Sequence, residues 1–153
     1  MVSGLTGADP GSLSHLGGVL RTCAAALAAH CAEVPRPSAL GGVLDATTGQ
    51  LDAVGSSLQV HAQDLATAAG SLVRLQERVA AAGLVLHAWT VSEPYGPVSA
   101  EVATQRAAAR PALQAQADRL AASVARSRAH VNRLLACAQA ELAAATSTAR
   151  AGH

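Results

Sequence analysis

Phenylalanine is absent from this 153-residue chain, tryptophan and tyrosine occur once each, and lysine does not occur, so that every residue of the Lys and Arg class is an arginine. Half of the residues are apolar. Without aromatic bulk, an interior of Ala, Leu and Val fills only where backbones approach closely, which favours helices packed along their length. A formal charge of +1 is too small for a general nucleic-acid surface, whose affinity comes from neutralising many phosphates. The missing lysine beside abundant Ala, Arg and Gly has the look of GC-rich coding. Cysteine is scarce and odd in number: Cys23, Cys31 and Cys137. Cys23 and Cys31 would stand about 12 Å apart on one helix, too far for a bridge, and reduced thiols in a cytoplasm are expected.

Long apolar runs are also missing. None approaches the roughly 20 residues that span a bilayer, and the opening MVSGLTGADPGS has neither the basic nor the apolar region of an export signal. Among catalytic signatures there is no HExxH, no ExxH pair, no CxxC and no Gly-rich loop between a strand and a helix. The expectation is a non-enzymatic protein with no cofactor and no small-molecule substrate.

What the sequence does contain is heptad periodicity. Pro10 and Ser12 suit a helix start, and Leu13, Leu16, Leu20, Cys23, Leu27, His30 and Val34 recur at spacings of three and four, predicting a helix over residues 11–33 with one buried seam. Pro35 and Pro37 break it. Leu44, Leu51, Leu58, Leu65, Leu72 and Val79 then fall every seven residues, with Leu40, Thr47, Val54, His61, Ala68, Leu75 and Ala82 at the complementary positions. The pattern predicts one helix over 38–82, roughly 65 to 70 Å long. Periodicity stops at Gly83, where LVLHAWTV reads as β-prone before the turn EPYGP. Ser99 and Glu101 suit a fresh helix start, and Leu113, Leu120, Ser127 and Leu134 against Ala117, Val124, Val131 and Ala138 extend that helix over 99–148, with a kink expected near Arg110 from Pro111.

The predicted fold is all-α: a long antiparallel helical hairpin with a shorter N-terminal helix beside it, an elongated bundle or coiled coil forming a single domain over 1–153. Loop positions make partner numbers add to about 181 between the two long helices and to about 72 between the first and second. The first helix would then leave the seam around Leu65, Leu72, Leu75, Val79 and Leu113 uncovered. An exposed apolar seam implies a covering segment, a second copy or another helical protein. The connector 83–98 holds both aromatics, Trp89 and Tyr95. Trp89 reads either as a plug folded over that seam or, with Tyr95, as contact residues for another chain.

Three further readings are weighed. His30, Cys31 and Cys137 fall near one another in the predicted register, and a thiolate and imidazole set suits zinc; buried cysteine as a small hydrophobe competes, and an enzyme-accessory or metal-binding bundle is the corresponding alternative function. Arg119, Arg126 and Arg133 form a stripe expected to be solvated or paired with Asp45 and Asp52. Gly42, Gly49 and Gly70 share an outer phase with Ser56, which a second chain could approach closely. A purely structural coiled coil is the remaining alternative.

A hairpin of two heptad helices with a tryptophan in the connector, and the opening ADPGSLSHLGGVLR, resemble the WXG100 or ESX-like proteins of actinobacterial type VII secretion systems. The resemblance covers residues 38–148 in architecture. It implies a secretion-associated substrate, chaperone or adaptor, cytoplasmic or exported without a standard signal peptide. Only Trp89 carries over: Val91 stands where the family's Trp-x-Gly turn has glycine, and Ser99 follows Tyr95 where the family's export signal has an acid.

Overall fold

A computed structural model describes residues 9–33 and 38–151. The breaker at Pro35 and Pro37, and Val34, lie outside the described residues. The fold is all-α: α1 spans Pro10–Glu33, α2 Ser38–Ala81 and α3 Ala100–Ala151, with a small sheet of β1 (Val85–His87) and β2 (Thr90–Ser92) between the long helices. α3 runs through Pro111 without a break. No described helix is long and apolar enough to cross a membrane.

Contacts divide the chain into two compact units, residues 64–126 and residues 9–63 with the chain from Ser127. In the first, the end of α2 and the start of α3 run antiparallel. Their core is Leu75, Val79, Leu84, Val91, Leu113 and Ala117. α2 ends here by a Schellman arrangement: the Leu84 amide donates to the Val79 carbonyl at 2.9 Å and the Gly83 amide to that of Ala80 at 2.9 Å. Gly83 takes the left-handed φ of 69° that this cap requires. Leu84 and Val79, the apolar pair that accompanies such a cap, are both in the core.

In the second unit, Val54, Leu58, Val131 and Ala138 form the core, with Leu13, Leu20 and Leu135 packed on it. Asp9 caps α1: its carboxylate accepts from the Ser12 amide at 2.9 Å and the Ser12 hydroxyl at 3.2 Å. These bonds, the Ser12 backbone bond foremost, hold the Asp9 carboxyl below its ordinary value. A depressed acid stabilises the fold above its unfolded pKa and loses that contribution as pH falls through the folded value. The protection factors of the Ser12 and Leu13 amides, taken against the intrinsic exchange rate at each pH, are therefore expected to fall on acidification in the wild type, whereas Asp9→Asn, a neutral cap of similar strength, flattens that dependence. An identical acid response in both proteins would show that the cap is not charged.

Two sequence expectations are corrected by packing. In α1 the buried residues are Gly17, Ala24 and Cys31, while Leu16 and Cys23 from the predicted seam are exposed and so is His30. The leucine periodicity is shared by two adjoining faces, and the helix turns its small residues inward. A Cβ on Gly17 would lie 2.6 Å from the Gly55 carbonyl oxygen, and one on Gly55 2.7 Å from that of Gly17. This crossing agrees with the predicted alignment of α1 and α2. The α2 and α3 alignment does not: His61 meets Ser127 rather than position 120, and Gln50 bonds Glu141 rather than position 131. The predicted alignment took the connector as symmetric, but none of residues 100–112 is fully buried and seam packing on α3 starts only at Ala109 and Leu113.

Candidate functional site

The connector is where chain geometry departs most from relaxed helix. β1 and β2 pair antiparallel with Leu86 opposite Val91 and His87 opposite Thr90, so that Ala88 and Trp89 alone make the turn. Both have positive φ, 46° and 74°. That pair of signs is the signature of a type I′ turn, whose usual occupants are Asn and Gly. For residues bearing a Cβ, the left-handed region costs about 1–2 kcal/mol each. No other described non-glycine residue has positive φ.

The strained turn is held by one side chain from α3. Gln114 accepts the Val91 amide proton at 2.7 Å, donates to the Trp89 carbonyl at 3.0 Å and donates again to Asp118 Oδ1 at 2.8 Å. In a two-residue hairpin the Val91 amide points away from β1, which leaves it for an outside partner. Gln114 supplies that partner while the Val91 side chain, 0% exposed, enters the core with Leu84.

The residues that close the seam are Val91 and Leu84, and the indole is half-buried at the turn. Leu65, Leu72, Leu75, Val79 and Leu113 are all buried within the chain, so they are core residues rather than an open interface. Tyr95 stands free of the fold, 109% exposed, with Val85, Val98 and Val102 also exposed on the connector and the first turn of α3. Ser99 starts that helix as expected, its carbonyl accepting from the Ala103 amide.

The metal reading is not supported by placement. Among the described residues no three His, Cys, Asp or Glu side chains come together; Cys31 is buried while Cys137 is exposed. Arg119, Arg126 and Arg133 are exposed, the solvated face expected of the stripe, while Asp52 pairs with Arg21 at 3.1 Å and not across the long helices. Both partners are more than half exposed, where such a pair contributes about 0.2–1 kcal/mol. His61 is buried at the seam and lies 2.7 Å from the Ser127 hydroxyl, a polar pair of the kind that can fix register between packed helices. Gly42, Gly49 and Gly70 have open space where a Cβ would go.

No family model matches the sequence, and no curated protein or solved structure matches it either.

Gln114, Val91 and the part that Gly17 and Gly55 play in the α1–α2 crossing were missed by sequence reasoning. The spacing VLH-AW-TV was a usable signal for a two-residue hairpin turn, masked because Ala-Trp is not turn chemistry. Nothing in the spacing distinguishes Gln114 from the other polar residues of α3.

Proposed function

We propose that the protein is a non-enzymatic contact module that presents its connector tip to another helical protein or to a second copy of itself. The observation that carries this reading is Trp89: the chain's single indole occupies a left-handed turn position where glycine would relax the backbone. Strain retained at one place in a fold is a reason to look for function there. The fully exposed Tyr95 beside it belongs to the residue types that anchor interfaces. The resemblance to WXG100 and ESX-like hairpins extends the proposal to a type VII secretion-associated substrate, chaperone or adaptor, and rests on sequence features alone.

The test separates stability from contact. Ala88→Asn, at an exposed position, is expected to gain about 1 kcal/mol in urea unfolding by relieving the turn, with association unchanged. In Trp89→Gly the strain relief and the lost packing of a half-buried indole oppose one another, so unfolding shifts by no more than about 1–2 kcal/mol. Association, read by light scattering and by crosslinking with mass spectrometry in the native host, is expected to fall sharply in Trp89→Gly and in Tyr95→Ala. If both variants keep the wild-type assembly and the same crosslinked partners, the tip is not a contact site.

A further inference from the structure

On the 64–126 unit, a shallow cavity of about 280 Å³ is lined by Ser71, Arg74, Leu75, Arg78, Gln116 and Leu120. Its cations come from consecutive turns of α2, an arrangement that is mildly destabilising in isolation, since like charges four residues apart on a helix repel. Both are hydrogen-bonded to neutral groups: Arg74 Nη2 donates to the Ser71 hydroxyl at 3.2 Å and Arg78 Nη1 to Gln116 Oε1 at 2.7 Å. Among the described residues, neither is paired with a carboxylate. Each guanidinium has five N–H donors in a planar fork, so most of the donors around this cavity remain available to a ligand. Leu75 and the half-buried Leu120 give it an apolar floor.

We infer that this cavity is a binding site for a carboxylate side chain carried by an acidic partner segment. Two neighbouring guanidiniums match the two oxygens of a carboxylate. A phosphate fits less well, because both walls are mid-helix, where backbone N–H groups are consumed by the helix and none is presented as at a helix N-terminus. The apolar floor favours a carboxylate flanked by leucine-like side chains over a free ion. The inference names a partner chemistry for the contact reading, yet the site does not include the connector tip, and the two stand or fall separately.

The test uses the full-length protein and the capped peptide acetyl-Leu-Glu-Glu-Leu-amide, followed by the arginine Nε–Hε resonances in two-dimensional NMR. Saturable, parallel shifts of Arg74 and Arg78 are expected, weakening as salt is added. Replacing both glutamates of the peptide by glutamine, or making Arg78→Gln or Arg74→Gln, should each weaken binding about tenfold, while Arg110→Gln and Trp89→Gly leave it unchanged. Shifts of equal size at Arg110 and Arg119 that track ionic strength would overturn the site. Tighter saturation by inorganic phosphate than by the peptide would overturn the carboxylate assignment, and equal binding of the glutamine peptide would do the same.

Discussion

Replacing Gly17 by alanine is expected to destabilise the fold, although the same change at the adjacent Gly18 should stabilise it. Helix propensity alone favours alanine over glycine by about 1 kcal/mol at either position. At Gly18 the added Cβ has only the flexible Gln59 side-chain amide nearby, at 3.8 Å. At Gly17 it would stand 2.6 Å from the Gly55 carbonyl oxygen and 2.9 Å from Gln59 Cγ. The first of these atoms is backbone and cannot rotate away, so α1 must lift from α2, at a cost of about 1–3 kcal/mol. Lifting also weakens what the close crossing allows: the burial of Ala24 and Cys31, and the Arg21 bonds to Asp52 and Gln59. Urea unfolding followed by circular dichroism should therefore order the proteins Gly18→Ala, wild type, Gly17→Ala from most to least stable. Gly17→Leu would be lower still. Equal stabilisation by both alanines would mean that the helices are not in backbone contact.

That crossing shows where the sequence is legible and where it is not. The α2 periodicity names most of the buried residues between Val54 and Val79, because Val54, Leu58, His61, Leu65, Leu72, Leu75 and Val79 are large enough that burying them dominates helix rotation, although Gly55 and Ala62 are also buried and Leu44 and Leu51 from the predicted seam are only half-buried. In α1 the leucines lie on both sides of a glycine, and inward rotation of Gly17 is decided by how near two backbones can come, a property shared with Gly55 thirty-eight residues away. A glycine that permits close packing and one that is tolerated on the surface, such as Gly49, are indistinguishable in one sequence. The connector divides in the same way. Its β-prone character is local and readable, but its closure depends on Gln114 meeting the Val91 amide, which only the register of α3 determines.

Gln114→Ala is expected to cost about 2–3 kcal/mol, a large effect for a polar, half-buried side chain. The Val91 amide sits above a side chain with no solvent exposure, and its hydrogen bond to Gln114 has no substitute once the amide is cut back; leaving a buried donor unpaired carries its full desolvation cost of about 1–3 kcal/mol. The Trp89 carbonyl loses its bond at the same time. Gln114→Glu should fall between the two, since a carboxylate still accepts from Val91 but no longer donates to Trp89 and faces Asp118 four residues on. The single tryptophan makes the local event visible: its emission should shift to the red and its quenching by acrylamide should rise in Gln114→Ala before the helices unfold. A double-mutant cycle with Ala88→Asn then asks whether the clamp sustains the turn strain. If it does, Gln114→Ala costs less in the relaxed turn than in the native one, with a coupling of about 0.5–1 kcal/mol. Unchanged Trp89 emission and unchanged unfolding in Gln114→Ala would show that the turn holds its left-handed residues without α3, and the strain would have to be supported by the Leu84 and Val91 packing alone.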